Sequence, residues 1–183
     1  MTNFPFEHIE QYDDVEVKGL WRTLVQTGRV PADELLQQLR RTARDHSRTP
    51  MQWTAAANAG FTTGTPWLTV NPNHVTVNAA AQRAVPDSVF HHHRRLIALR
   101  RAEPALVHGA FTDLDPGAER VLAYARVLDG TGFVVVVNFG REPAQLDLAV
   151  GECVFHNHAG AVPPAGATTL RLDGWQAVVH RLP

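Results

Sequence analysis

The spacing of the hydrophobic residues changes a little past the middle of the chain. In the first part, apolar side chains recur every three to four positions, which is the period of an α-helix. This pattern predicts helices over residues 13–28, from Pro31 to about 44, and over 89–101. Further on, short runs of Val, Leu, Phe and Tyr alternate with Asp, Gly and Pro, as in a series of short β-strands. The chain is therefore predicted to be helical first and all-β afterwards.

The second part is predicted to form an antiparallel sandwich or barrel, because its short strands follow one another at regular spacing. Seven strands are expected, at residues 109–114, 121–128, 132–138, 144–149, 152–156, 168–172 and 176–182. We place the domain boundary between residues 105 and 106, which gives domains 1–105 and 106–183. The second domain contains both layers of its sandwich, so it is expected to fold alone with the third helix docked on it. The N-terminal third is expected to be less constrained.

One long stretch, residues 43–69, has almost no apolar periodicity. A segment of this length without regular structure is uncommon in a compact domain unless it lines a site or is disordered. Its aromatic residues Trp53, Phe61 and Trp67 argue against disorder and have faces of the sort that sugar rings stack against, although core packing explains them at least as well. We expect an ordered loop that lines a site.

Composition and charge exclude several classes of partner. With 183 residues, 44% hydrophobic and 19% charged, the chain can bury a sizeable core, and its net charge of −1 offers no attraction to nucleic acid or an anionic membrane. The longest apolar run, residues 133–137, is far shorter than the ~20 residues of a membrane-spanning helix. A single cysteine allows no internal disulfide. We expect a cytoplasmic protein with no membrane partner, no nucleic-acid partner and no cofactor.

Two groups of residues could suggest a metal site. The run from His91 to His93 lies on a predicted helix, where successive side chains point about 100° apart and cannot easily share one ion. The set Cys153, His156 and His158 is the better candidate, since residues 156 and 158 would share one face of a strand. It offers no evident fourth ligand, so ordinary packing is the preferred interpretation and no metal site is predicted.

Arg48 is the strongest candidate for binding a ligand. A guanidinium group inside an aromatic-rich segment supplies a fixed fork of donors that suits vicinal hydroxyls or a carboxylate. Asp45 lies three residues earlier and could orient it. The two residues together predict a polar, uncharged ligand.

The same segment resembles a known family. The strings RDHSRTPMQW (44–53) and NAGFTTGTPWLTVNPN (58–73) are similar to the oligo-1,6-glucosidase and α-glucosidase branch of glycoside hydrolase family 13. MTNFPF and IEQYDD resemble the segment after the eighth barrel strand, DSVFHHHRRLIALRR resembles the eighth barrel helix, and the remainder resembles the sandwich called domain C. The resemblance implies an α+β chain: a C-terminal fragment of a (β/α)8 barrel, then an antiparallel sandwich. Its histidine run departs from the family, where tyrosines are common.

The resemblance also implies a function. Members of this family are retaining enzymes whose aspartate nucleophile, glutamate acid/base and further aspartate lie on earlier barrel strands, and retaining chemistry needs two carboxyl groups about 5 Å apart. No pair in this sequence resembles them, so we assign no catalytic residue and expect no turnover by the chain alone. Arg48 is implied to help cap the non-reducing-end glucose. An oligosaccharide is the implied substrate, and a complementary upstream chain is a possible partner.

Three alternatives stay open. A sucrose isomerase or a trehalose-forming relative would differ mainly in other barrel loops. A non-catalytic interaction module, similar to the barrel-like ectodomains that chaperone amino-acid transporters, is disfavoured because neither a membrane helix nor an N-glycosylation sequon is found. A stand-alone carbohydrate-binding sandwich would need exposed aromatic residues on one sheet face, and the second domain offers few beyond Trp175.

Overall fold

A computed structural model describes residues 2–158, 162 and 164–183. The chain divides into two compact units, Met1–His91 and His92–Pro183. This division falls inside the helix Val89–Ala102. The predicted domain boundary, after residue 105, lies instead where the helical pattern of the sequence ends. That boundary stays a prediction. No helix in the described part of the chain has the length and apolar character needed to cross a membrane.

The helices match the predicted ones and add three short ones. Asp14 caps the first helix by accepting a hydrogen bond from the backbone N–H of Glu16 (2.8 Å), and the chain leaves that helix through Gly28 at φ +72°. The first helix also continues as a π-helical turn, Trp21–Val25. The helices are α1 (Val15–Leu20), α2 (Ala32–Thr42), α3 (Asp45–Arg48), α4 (Ala79–Ala84), α5 (Val89–Ala102) and α6 (Ala105–His108).

The first unit has its own aromatic core, and the expectation of a less constrained N-terminal third stays a prediction. Leu35 and Leu39 of α2 are buried with Phe6 and Tyr12, whose ring centroids lie 4.1 Å apart. The N-terminal segment folds back over α2 and supplies the apolar cover that the helix needs. The buried members of this cluster are Phe4, Phe6, Tyr12, Val17, Leu35, Leu39 and Ala43.

In the second unit all seven predicted strands are present. They form a five-stranded antiparallel sheet in the order β1-β2-β3-β7-β5 and a two-stranded sheet of β4 and β6. Asp129 and Gly130, both at positive φ, make the tight turn of the β2–β3 hairpin. The strands are β1 (Ala110–Asp113), β2 (Val121–Leu128), β3 (Thr131–Asn138), β4 (Ala144–Asp147), β5 (Cys153–His156), β6 (Thr169–Leu172) and β7 (Ala177–Arg181).

Side chains from several strands of this unit form an apolar core cluster. Alternation along each strand buries one set of side chains, of which Val134, Leu170 and Val178 are fully inaccessible to solvent. A second cluster around Phe133 and Val179 is covered by Leu99 of α5. The predicted docking of the third helix on the sheet is thus confirmed for the part of α5 that belongs to this unit.

Candidate functional site

The segment that was expected to be an irregular loop begins with one turn of helix, α3. The backbone N–H of His46 donates to the carbonyl of Ala43 (3.2 Å), and the hydroxyl of Thr49 donates to the carbonyl of His46 (3.2 Å). The expectation of no regular structure is therefore wrong at α3. The helical turn places Asp45 and Arg48 three residues apart on one side, as neighbours.

Asp45 is completely buried and uses both carboxylate oxygens. Oδ2 accepts from the backbone N–H groups of Asp13 (2.7 Å) and Asp14 (3.0 Å), and Oδ1 accepts from Nη1 of Arg48 (3.1 Å). A carboxylate bonded in this way is satisfied despite its burial. Asp45 thereby joins the start of α1 to the side chain of Arg48.

A second buried carboxylate, Asp14, is held by another arginine. Arg44 approaches it in a bidentate manner, with Nε 2.7 Å from Oδ2 and Nη2 2.8 Å from Oδ1. The hydrogen bonds from Arg44 lower the pKa of Asp14 to about 2, against the opposing effect of burial. Nη1 of Arg48 also lies 3.9 Å from Asp14 Oδ2. The site therefore contains two ion pairs, Asp14–Arg44 and Asp45–Arg48, that are in contact with each other.

Arg48 is fixed but remains accessible. Its side chain is 43% exposed, and its guanidinium carbon lies 5.0 Å from the centre of the Trp67 ring, which is itself 55% exposed. Within the described part of the chain its polar contacts use only Nη1, so the donors on Nε and Nη2 are left for a ligand. Beside it lies a cleft of about 270 Å³ lined by Asp13, Asp14, Val15, Arg44 and Arg48.

The three aromatic residues of this segment are exposed and do not build the core. The loop between Trp53 and Phe61 is closed by hydrogen bonds from the backbone N–H groups of Trp53 and Thr54 to the carbonyl of Ala59 (2.9 and 3.0 Å). Asn58, at φ +50°, donates from its amide to the carbonyl of Gly64 (3.0 Å). The backbone is therefore well defined while Trp53, Phe61 and Trp67 present their rings to solvent.

Sequence reasoning missed the contribution of Asp14 and Arg44 to this site. Acidic residues at the start of α1 suit the positive end of the helix dipole, and Asp14 provides the cap there. Its ion-pair partner Arg44 lies 30 residues away, just after the basic last turn of α2. No local pattern identifies such a contact, although two adjacent aspartates before a helix were a usable signal.

The possible metal ligands do not come together. β5 ends at His156, so His156 and His158 do not share a strand face, and Nδ1 of His156 lies 2.6 Å from the carbonyl oxygen of His158 instead. Cys153 donates to the carbonyl of Phe155 (3.3 Å), and burial raises the pKa of its thiol. Among the described residues, no group of three or more His, Cys, Asp and Glu side chains could hold an ion.

This arrangement is suited to binding a polar ligand and not to cleaving it. A guanidinium group next to an exposed indole can donate to sugar hydroxyls while the aromatic face contacts the apolar face of the ring. Asp14 and Asp45 are buried and bonded by arginines, so neither is free to attack or to protonate a glycosidic bond.

The fold defines a class: the helical end of a (β/α)8 barrel domain followed by an antiparallel β domain. Residues 7–109 match the family model of the alpha amylase catalytic domain, and residues 111–179 match a domain of unknown function, DUF3459. The chain belongs to the α-amylase family of glycoside hydrolases, glycoside hydrolase family 13, and corresponds to a C-terminal portion of its members.

Curated relatives agree with this assignment. The chain is 40% identical to an oligo-1,6-glucosidase of Halalkalibacterium halodurans, with 98% of this chain and 33% of the relative aligned. It is 41% identical to a trehalose-6-phosphate hydrolase of Escherichia coli, over 93% of this chain and 32% of the relative. The chain thus spans about a third of the length of these relatives.

Solved structures show the same fold. A trehalulose synthase from Pseudomonas mesoacidophila superimposes with a TM-score of 0.93 at 44% identity, over 99% of this chain and 33% of that one. An isomaltulose synthase mutant from Erwinia rhapontici, in complex with sucrose, gives a TM-score of 0.91 at 45% identity, over 100% of this chain and 34% of that one.

Proposed function

We propose that this chain is the C-terminal, sugar-recognising portion of a retaining α-glucosidase of the oligo-1,6-glucosidase type. Its substrate is a non-reducing-end α-glucosidic bond of an oligosaccharide. The observation that carries the proposal is the state of Arg48, which is anchored by Asp45 and placed over Trp67 while two of its donor nitrogens have no partner among the described residues. The names of the relatives support the class of substrate.

In this proposal Arg48 determines where the terminal glucose sits. Its remaining donors bind hydroxyl groups at the end of the oligosaccharide. Asp45 keeps the guanidinium group from rotating away toward solvent. Fixing the orientation before the sugar arrives reduces the entropy that binding must remove. The effect is to favour one glucose, at the end of an oligosaccharide, in the position where cleavage takes place.

The acid and nucleophile belong to the part of the relatives that these 183 residues do not cover. We propose that this part, on the same or on a complementary polypeptide, supplies both carboxylates and the remaining wall of the pocket. Residues 1–105 would then complete the barrel domain and residues 106–183 would be the β domain, a division that the two family matches support. The single cysteine supports a cytoplasmic location.

The test is complementation. Glucose release from 4-nitrophenyl α-D-glucoside is measured with the chain alone, with the upstream two thirds of the Halalkalibacterium halodurans oligo-1,6-glucosidase alone, and with both. The proposal expects activity only in the mixture. Turnover by the chain alone would contradict it, as would a mixture that assembles on a sizing column and stays inactive.

Sucrose isomerisation is a second candidate, favoured by the 44–45% identity to trehalulose and isomaltulose synthases. The same complemented sample separates the two activities when it is given sucrose. Glucose and fructose indicate hydrolysis, whereas a reducing disaccharide isomeric with sucrose indicates transfer of the glucosyl group within the pocket.

A further inference from the structure

Trp175, in the second unit, has a backbone conformation that its side chain disfavours. It lies in the turn between β6 and β7 at φ +63°, in the left-handed region, and is 59% exposed. Bulky residues are rare at positive φ, and such a conformation persists only where the surroundings impose it. Glycine would adopt it without strain. Packing among the described residues does not account for a large exposed indole at this position.

The turn is held rigidly on both sides. The backbone N–H of Trp175 donates to the carbonyl of Gly140 (3.0 Å), and its carbonyl accepts from the side-chain amide of Asn157 (3.0 Å). The side chain of Asn157 also accepts from the backbone N–H of Ala177 (2.7 Å). These bonds fix the Cα–Cβ direction of Trp175, so the indole is displayed at a defined place on the surface.

Polar and aromatic groups lie close to the turn. Asp173, two residues earlier, has a carboxylate that is about half exposed and lies 3.8 Å from Nδ1 of His158. Phe139, next to the Gly140 that binds the turn, is also exposed. An exposed flat ring with a carboxylate nearby combines a surface for the C–H face of a pyranose with an acceptor for one of its hydroxyls.

We propose that the Trp175 turn is a carbohydrate-binding platform that takes glucose units of an oligosaccharide or an α-glucan. The indole stacks on one face of a sugar ring, and the carboxylate of Asp173 accepts a hydrogen bond from a hydroxyl. Only the choice of glucose as the sugar rests on the proposed function. The strained backbone and the display of the ring are independent of Arg48, which belongs to the other unit.

The experiment is affinity electrophoresis of the full chain in native gels that contain dextran, combined with thermal melts. Trp175→Gly removes the ring and releases the strain, so we expect at least a tenfold loss of dextran affinity and a melting temperature that is unchanged or higher. Phe111→Ala is the matched control, because Phe111 is an equally exposed aromatic residue of the same unit (59%), and it should keep the affinity of the wild type.

Three results count against the platform. A wild-type chain that dextran does not retard, a Trp175→Gly variant that is retarded normally, or one that melts at a lower temperature would each overturn it. Trp67→Ala separates this proposal from the previous one. If that variant loses affinity while Trp175→Gly does not, the sugar binds beside Arg48 and the platform is refuted. If Trp175→Gly loses dextran affinity and the complemented sample is inactive, the platform is supported and the proposed function is contradicted.

Discussion

The two units of this chain are stabilised in different ways. The second is built from paired strands around side chains such as Leu170 and Val134, which are apolar and completely buried. The first has a small aromatic core, and beside it a set of buried polar groups that includes Asp14, Asp45 and Gln52. Each of these residues makes at least one hydrogen bond across the loops, as when the amide nitrogen of Gln52 donates to the carbonyl of Val77 (2.6 Å).

This difference shows where function can be placed. The second unit also buries Asn138, Gln176 and His180, but its core is mainly apolar, whereas the network of polar bonds in the first unit can hold a charged group such as Arg48 in one orientation and leave part of it accessible. The first unit therefore carries the candidate recognition site. The same network makes that unit sensitive to single changes of charge or of hydrogen-bonding capacity.

The largest effect is expected in the apolar core of the second unit. Leu170→Ala should lower the free energy of unfolding by about 2–5 kcal/mol, because it removes buried methyl groups and leaves a cavity. Urea titration followed by circular dichroism measures it. Leu122→Ala, at an exposed position of β2, is the control and should change stability by less than about 1 kcal/mol. Equal losses at the two sites would show that the strands are not packed as described.

Asp45→Asn should have the next largest effect, in the first unit. Asp45 accepts hydrogen bonds on both oxygens, and an asparagine amide must turn its NH2 group either toward two backbone N–H groups or toward Arg48. We expect a loss of about 1–3 kcal/mol from unsatisfied buried donors. The exposed Asp33→Asn serves as control. A loss no greater than that of Asp33→Asn would mean that the polar network does not stabilise this unit.

The pH dependence of stability should reveal Asp14. Its pKa falls from the ordinary 3.8 to about 2 in the folded protein, so its stabilising effect is complete above about pH 4 and is lost as the pH falls toward 2. Because the partner Arg44 is largely exposed, we expect this to amount to about 1–2 kcal/mol. Thermal melts at pH 6 and pH 2.5 measure the loss, which should be smaller in Asp14→Asn. An identical acid dependence in that variant would contradict the ion pair.

The smallest effect is expected at a helix cap. Asn78 accepts from the backbone N–H of Ala81 (2.9 Å) and donates to the carbonyl of His74 (2.8 Å), which fixes the start of α4. Asn78→Ala should cost about 1 kcal/mol, and Asn78→Asp should recover only part of it, because aspartate is an equally good cap but cannot donate to the carbonyl of His74. Denaturant unfolding of the wild type and the two variants measures the difference. An Asn78→Ala variant with the wild-type free energy of unfolding would show that the cap does not contribute to stability.

The strands were predictable and the polar network was not. Each of β1–β7 lies in a short run that contains Val, Leu, Phe or Tyr and has Asp, Gly or Pro nearby, and such runs carry local information about backbone pairing. Leu35 and Leu39 were assigned to a helix correctly, yet their cover by Phe6 and Tyr12 depends on a fold-back that no periodicity encodes.

The candidate site was predicted only where its contacts are local in the sequence. Arg48 and Asp45 lie one helical turn apart, so their pairing could be inferred from local spacing. The contacts of Asp45 with the backbone of Asp13 and Asp14, and of Asp14 with Arg44, join segments about 30 residues apart in the chain. Whether Trp67 lines the site or fills the core was also open, and its exposure beside Arg48 follows from how the loop is closed.

The central claim is that Arg48 holds the terminal sugar, and kcat/KM of the complemented sample for 4-nitrophenyl α-D-glucoside tests it most directly. Removal of charged hydrogen bonds to the substrate should lower kcat/KM at least about 100-fold in Arg48→Ala, while the exposed control Arg22→Ala stays at the wild-type value. A kcat/KM for Arg48→Ala within about twofold of the wild type, in an assembly that forms normally, would contradict the claim.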